Sequence, residues 1–176
     1  DGYEALLRAA YESVNDFNYY GQNMMIGPEI LADNMDLINQ NGRFEDEFVN
    51  AVNSGVEIWR LRYNAINECN IIIETIDNES VAGEASLKTS IKAQAYFLRA
   101  LFYHDLARAY GYEPGQEVNG FNLSVPLKLN ATQGLSGAVD LPRSTNTEVY
   151  TQIISDLQTA IPDLPSATAG SSAVKF

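Results

Sequence analysis

Residues 91–111 read IKAQAYFLRALFYHDLARAYG, and this stretch decides the fold. Neither Gly nor Pro occurs before Gly111, and strong helix formers dominate, so the stretch predicts a helix that Gly111 caps. Its apolar residues fall on two faces at helical spacing. The first face contains Ile91, Ala95, Leu98, Phe102, Leu106 and Ala109, and the second contains Ala93, Phe97, Ala100, Ala107 and Tyr110. A helix with two apolar faces packs between neighbours, so we expect it at the centre of a helical stack.

Three further segments have helical periodicity, and they lie at residues 3–17, 56–76 and 147–161. Ser144 or Asn146 can cap the last of these, and Thr145 with Glu148 has the spacing of a capping box. Pro28 suits the first turn of a short helix. The predicted fold class is all-α, with tetratricopeptide-like stacked helix hairpins and long irregular loops.

The long connections are where we expect binding residues. Residues 39–55 are polar, and residues 112–143 contain four Gly and three Pro residues. Irregular connections longer than about fifteen residues are usually functional or flexible. Exposed aromatic and amide side chains on a rigid scaffold suit sugar rings, so the predicted ligand-binding residues are Asn41, Arg43 and Phe44.

The aromatic residues of the helices are interpreted differently. Trp59 and Tyr63 lie at helical spacing with Ile66, and Phe97 lies between small residues of the central helix. Aromatic side chains supply much of the apolar area of a core. For these aromatic residues, packing in the core is therefore favoured over stacking on a glycan.

Arg99 is the charged residue that the pattern singles out. It lies between the two apolar faces of a helix packed on both sides, so its guanidinium needs a carboxylate or a carbonyl partner. Asp156, on the last predicted helix, is the expected partner. The alternative is an Arg99 side chain that extends to solvent.

Charge and cysteine content restrict the possible partners. The chain has 176 residues and a formal net charge of −12, from 23 acidic and 11 basic residues. Such a surface disfavours nucleic acid, which needs a basic footprint, and leaves proteins, neutral small molecules and glycans open. The single cysteine, Cys69, excludes a disulfide within the chain. No apolar run reaches the roughly 18 residues of a membrane-spanning helix.

The sequence contains little that indicates catalysis or a metal site. His104 is the only histidine and has no serine motif beside it, so a packing or surface role is favoured. No Cys/His group has the spacing of a zinc site. Residues 33–47 are acidic, but Ile38 interrupts the alternating oxygen ligands of an EF-hand, and calcium binding there stays open. We expect no catalytic residue, no metal and no cofactor.

The central stretch resembles a motif of the SusD-like (RagB/SusD) family. The positions that carry this resemblance are Ala95, Phe97, Leu98, Arg99, Ala100, Tyr103, Leu106, Tyr110 and Gly111. A second family string is matched by Trp59, Tyr63, Ile66, Asn70, Ile72 and Ile73, and a third by Pro142, Arg143, Glu148, Val149, Tyr150, Ile153, Asp156, Leu157, Ala160, Leu164 and Pro165. Shorter matches lie at Ile30–Asn34 and Ser124–Leu127. The resembling segments follow the family order over most of the chain.

The resemblance implies that residues 1–176 are the N-terminal helical-repeat part of a longer SusD-like protein, in which a further helix would pair with residues 147–161. It implies an outer-membrane lipoprotein on the cell surface, which meets the membrane only through a lipid anchor. Such a protein captures a nutrient, usually a glycan, and delivers it to a SusC-like TonB-dependent transporter without catalysis. Two alternatives stay open: a helical-repeat scaffold that binds only proteins, and an all-α glycosidase whose two carboxylates meet in space.

Overall fold

The computed structural model describes residues 2–39, 42–51, 57–134 and 140–166. These residues form six α-helices and a short 3₁₀ turn, Ile161–Asp163. The helices are α1 Gly2–Val14, α2 Asn23–Leu31, α3 Glu45–Phe48, α4 Trp59–Thr75, α5 Ala85–Tyr110 and α6 Asn146–Ala160. Within the described part of the chain no strand occurs, and the only β contact is an isolated bridge between Leu123 and Thr145. The predicted all-α fold class is confirmed.

Helix α5 lies at the centre, as its two apolar faces predict. It packs against α4 on one side and α6 on the other, and it also contacts α1. Residues of both faces are buried, among them Leu98 and Phe102 of the first face and Ala100 and Ala107 of the second. Ala109, assigned to the first face, is exposed. Helix α5 also begins at Ala85, six residues before the predicted start.

Position 111, at the end of α5, requires glycine because a side chain would not fit there, and not because the backbone is left-handed. Gly111 is extended, with φ −113° and ψ 174°, so it does not adopt the left-handed cap conformation. A Cβ atom there would lie 2.9 Å from the Ala107 carbonyl oxygen, 2.9 Å from Ser124 Oγ and 3.1 Å from Asn146 Oδ1. The chain therefore turns between α5, the following segment and α6 at a point where no side chain fits.

Helix α6 begins with the predicted capping box. The Thr145 hydroxyl accepts a hydrogen bond from the Glu148 backbone N–H at 3.2 Å, and the Glu148 carboxylate accepts one from the Thr145 N–H at 2.7 Å. Val149, Ile153 and Ala160 are buried. Ile154 and Ile161, on the other side of this region, are 53% and 67% exposed.

The prediction for Pro28 is wrong. Helix α2 begins five residues earlier, at Asn23, and Pro28 is its sixth residue. The turn before the helix supplies early acceptors, because the N–H groups of Asn23 and Met24 bond to the carbonyl oxygens of Phe17 and Tyr19. A proline inside a helix removes one hydrogen bond, which this short helix tolerates. Among the described helices, none is long and apolar enough to cross a bilayer.

Candidate functional site

One face of α4 holds an extended segment, residues 123–132, which we call the connecting segment. Side chains at helical spacing bond to its backbone. Tyr63 donates to the Pro126 carbonyl at 2.7 Å. Asn67 accepts from the Thr132 N–H at 2.6 Å and donates to the Thr132 carbonyl at 3.2 Å. Glu74 completes this face by accepting from the Ala131 N–H at 3.1 Å.

Helix α5 binds the same segment through Tyr103. Its hydroxyl donates to the Lys128 carbonyl and accepts from the Lys128 N–H, both at 2.8 Å. A segment outside any sheet leaves its backbone polar groups without ladder partners, and these side chains supply them. Burial raises the pKa of Tyr103 and of Tyr63, so both phenols stay protonated and can donate. The connecting segment is thus fixed on α4 and α5 rather than loosely laid over them.

The predicted pair of Arg99 and Asp156 is confirmed. The guanidinium donates to both Asp156 oxygens at 2.7 Å, and a third bond reaches Asn70 Oδ1 at 2.8 Å. The side chains of the pair are 5% and 2% exposed. Burial alone would lower the pKa of Arg99, but the hydrogen bonds and charge of Asp156 outweigh burial and raise it. This network joins α5 to α6 and, through Asn70 and the Lys128 carbonyl at 2.9 Å, to the connecting segment.

A second buried network was missed by the sequence analysis. Asp105, fully buried on α5, accepts hydrogen bonds from the hydroxyls of Tyr19 and Tyr20. Burial and the bond to Asp105 raise the pKa of Tyr20 to about 12. The Arg62 guanidinium lies 3.9 Å from the centre of the Tyr19 ring and donates to the Ser13 carbonyl at 2.9 Å. This network anchors the turn after α1 to the core. In the sequence, the adjacent pair Tyr19 and Tyr20 is the one feature that could have indicated it.

An open groove of about 620 Å³ lies between α4 and the connecting segment. Its volume is within the roughly 300–1,000 Å³ of small-molecule sites. The groove is lined by Trp59, Tyr63, Asn64, Asn67, Pro126, Lys128, Thr132, Asp140 and Leu141. The lining combines an indole, amides and one charge of each sign, which is the composition of a site for a polar ligand with apolar faces.

The prediction that Trp59 packs in the core is wrong. Trp59 is the first residue of α4, and it is 36% exposed at the groove. Its ring packs on Tyr63 and Tyr110, each with a centroid distance of 5.1 Å. Helical spacing places Trp59 on the same side as Tyr63, but the spacing does not show that the indole, in the first turn of α4, is partly exposed. Tyr63 and Phe97 are partly buried against the core, as expected of packing residues.

The predicted ligand residues are only partly assembled by the structure. Asn41 lies outside the described residues. Arg43 and Phe44 line a hollow of about 190 Å³ together with Phe17, Gln22 and Glu47. Phe44 has a left-handed backbone, with φ 57°, and precedes α3. The hollow is smaller than usual ligand sites, so the groove is the larger candidate.

The described residues contain no group of three or more His, Cys, Asp or Glu side chains placed to hold a metal ion. His104 is on the surface of α5, where its side chain is 42% exposed and its Nδ1 atom lies 3.5 Å from Asp105. It lines a cleft of about 400 Å³ with Arg108, Glu113 and Tyr150, and neither serine nor cysteine is among these lining residues.

Comparisons by family model, by sequence and by structure all find SusD-like proteins. Residues 4–175 match the model of the SusD-like family that is described as starch-binding and associating with the outer membrane. The curated SusD-like protein P2 of Formosa agariphila is 25% identical over 169 residues, which cover 92% of this chain and 30% of that protein. A SusD superfamily protein from Bacteroides vulgatus has a TM-score of 0.78 at 22% identity, over 95% of this chain and 38% of that structure.

A further solved structure, of a laminarin-binding SusD-like protein, has a TM-score of 0.67 at 21% identity, over 93% of this chain and 34% of that one. Both solved structures share the fold of this chain. The chain spans about a third of the length of the relatives that it matches.

Proposed function

The chain belongs to the SusD-like family, and we propose on this basis that it captures a glycan at the cell surface and passes it to a SusC-like TonB-dependent transporter. The observation that carries the proposal is the family match over nearly the whole chain. The family description names starch, and one structural relative binds laminarin, so glucans are the first ligands to test.

The chain acts in this proposal as the N-terminal helical part of a longer protein. The relatives that it matches are about three times as long, and they support this division. We place the whole protein on the outer surface of the outer membrane, held by a lipid anchor.

The proposed role is binding without catalysis. Glycoside hydrolysis uses two carboxyl groups on either side of the scissile bond. The groove is lined by one carboxylate, Asp140, beside Lys128. A bound glycan would therefore meet hydrogen-bonding groups and an aromatic ring but no acid/base pair there.

Arg43 and Phe44 stay proposed as ligand contacts, together with Asn41. The aromatic ring and guanidinium at the hollow beside α3 suit the edge of a sugar chain that extends beyond a single ring. Their contribution is separable from that of the groove because the two sites are lined by different residues.

The proposal is tested by calorimetric titration of the chain with laminarin, starch, xylan, pectin and alginate. Binding of at least one polysaccharide, with no new reducing ends after prolonged incubation, is the expected result. Released reducing ends would favour the glycosidase alternative. Failure of every polysaccharide to bind, together with capture of protein partners only, would favour the scaffold alternative.

Transfer to a transporter needs its own experiment. We expect the full-length protein, purified from outer membranes in mild detergent, to bring down a TonB-dependent transporter in stoichiometric amount. A full-length protein that binds glycan but purifies alone from its native membrane contradicts the delivery step and leaves glycan capture in place.

A further inference from the structure

Asparagine followed directly by glycine occurs twice in the chain, as Asn41–Gly42 and Asn119–Gly120. This dipeptide is chemically labile because glycine has no side chain to shield its backbone nitrogen from the neighbouring amide. Asn41 lies outside the described residues, whereas Asn119 and Gly120 are described and exposed. They lie in the connection between α5 and α6 and line neither the groove nor the hollow beside α3.

We propose that Asn119 is a site of spontaneous deamidation, at which its amide becomes a carboxylate through a cyclic succinimide. The backbone nitrogen of Gly120 forms a bond to Cγ of Asn119, and the side-chain nitrogen leaves as ammonia with the proton of that N–H group. Water then opens the ring. Attack of water at Cγ gives aspartate, and attack at the main-chain carbonyl carbon gives isoaspartate, in which the backbone runs through the former side chain.

The attacking nitrogen and the amide that it attacks are both unengaged. Across the described part of the chain, the Gly120 N–H group donates to no acceptor, and the Asn119 side chain has no hydrogen-bond partner. A Cβ atom built on Gly120 would meet no atom within 4 Å, so there is space for the five-membered ring. Ring closure therefore displaces no side chain from a buried contact.

The backbone around Asn119 is held by a single turn at the surface. Asn119 and Gly120 have left-handed conformations, with φ 55° and 75°, which are typical of the two central residues of a type I′ turn. The Phe121 N–H group closes this turn by donating to the Val118 carbonyl at 3.0 Å. Succinimide formation rotates the backbone at Asn119 and so breaks this bond. Because both flanking residues are exposed, water can replace it.

The other Asn–Gly pair differs at the attacking nitrogen. The Gly42 N–H group donates to Glu45 Oε1 at 2.9 Å. Attack by that nitrogen must first break a hydrogen bond to a carboxylate, which is stronger than a bond between neutral groups. The Gly120 nitrogen has no such bond to lose, so we expect Asn119 to deamidate before Asn41.

Deamidation changes the contacts beside the start of α6. A carboxylate at position 119 adds a negative charge two residues from Glu117, whose own carboxylate accepts a hydrogen bond from Asn146 Nδ2 at 3.4 Å. Isoaspartate also lengthens the backbone inside the turn that carries Phe121. The Phe121 ring packs edge-on against Tyr112, with a centroid distance of 5.8 Å. The modification is therefore expected to loosen a surface aromatic contact and to leave the buried core intact.

Ageing of the purified chain, followed by peptide mass spectrometry, tests the proposal. The chain is incubated at pH 8 and 37 °C, and trypsin then releases residues 109–128, which contain both Asn119 and Asn122. We expect the mass change of an amide-to-carboxyl conversion at Asn119, with methyl transfer to the product by an isoaspartate methyltransferase. Asn122, followed by leucine, is the control within the same peptide and should keep its amide. A sample digested before incubation gives the background.

Two variants separate the chemistry of this turn from general lability. Asn119→Gln should abolish the modification, because glutamine would have to close a larger ring. Glu45→Ala releases the Gly42 N–H group and should raise the rate at Asn41 several-fold while leaving the rate at Asn119 unchanged.

Three outcomes would overturn the inference. The first is loss of the Asn41 or Asn122 amide at a rate equal to or above that of Asn119. The second is an Asn119 amide that survives in the folded chain but is lost in urea, because the folded turn would then protect it. The third is a Glu45→Ala chain in which Asn41 reacts no faster, because a free glycine nitrogen would then not determine which site reacts.

Discussion

Removing Asp156 should destabilise the chain more than any exposed charge does. The Asp156→Ala substitution removes the two carboxylate oxygens that accept hydrogen bonds from Arg99, whose side chain is only 5% exposed. Breaking a buried ion pair on one side costs about 3–5 kcal/mol, because an uncompensated charge is left behind. For a chain of this size each kcal/mol lowers the Tm by about 2–4 °C, so the expected decrease is about 6–20 °C.

Two further variants isolate the cause of that loss. The double substitution Arg99→Met with Asp156→Leu removes both charges and keeps apolar volume, so it should recover most of the stability. Asp77→Ala is the matched control, because the Lys92–Asp77 pair is partly exposed, with side chains 28% and 61% accessible. Exposed pairs contribute about 0–1 kcal/mol.

The assay is urea unfolding followed by circular dichroism, with thermal melts beside it. The free energy of unfolding comes from linear extrapolation, and equal slopes show that the unfolded ensemble is unchanged. The reasoning is refuted if Asp156→Ala costs less than about 1 kcal/mol, or if the double variant is less stable than either single one. In either case the cost would not come from a stranded buried charge.

Three other predictions follow from single contacts. Gly111→Ala should cost about 1–3 kcal/mol by urea unfolding, because its Cβ would meet oxygen atoms at 2.9 Å, whereas Gly2→Ala, with nothing within 4 Å, should cost nothing measurable. The Glu148 carboxyl has a lowered pKa because it accepts hydrogen bonds from Thr145, so its stabilising effect is complete near neutral pH and is lost as the pH falls through about 4 and below. A Glu148→Gln variant should therefore show a flatter loss of stability between pH 6 and pH 3, and an unchanged acid slope would contradict the contact. Cys69 is fully buried and burial raises the pKa of its thiol, so a chromogenic disulfide reagent should label it only after unfolding, and rapid labelling of the native chain would disprove its burial.

Local features of the sequence were the ones that predicted structure well. The two apolar faces of α5 follow from the spacing of residues along one helix, and the capping box follows from the spacing of Thr145 and Glu148. Both features are present in the structure. The Arg99–Asp156 pair joins distant residues, yet it was predictable because a charge inside a doubly packed helix must have a partner. In each case the chemistry and spacing of the residues are enough to state which contact they need.

The predictions that failed concerned the burial of individual side chains, which depends on the neighbours that cover them. The periodicity of α4 places Trp59 with Tyr63 but does not reveal that the first turn has an open side. The side chains of Tyr63, Asn67 and Asn70 bind backbone atoms about 60 residues away. Because every residue has a backbone carbonyl, the sequence does not indicate which one is the partner. The groove that these residues build could not be predicted for the same reason.

The groove and the buried networks depend on each other. The connecting segment lines one side of the groove, and its position is set by hydrogen bonds from α4 and α5 rather than by a sheet. Asn70 bonds to that segment through its amide nitrogen and to Arg99 through its oxygen. Loss of the Arg99–Asp156 pair should therefore shift the connecting segment at the groove as well as lower the stability of the chain. Trp59 is 36% exposed, and its ring packs on Tyr63, which itself bonds to Pro126 of that segment. The exposed lining of the groove thus rests on a support made of buried polar contacts, so a change in that support should alter the shape of the groove.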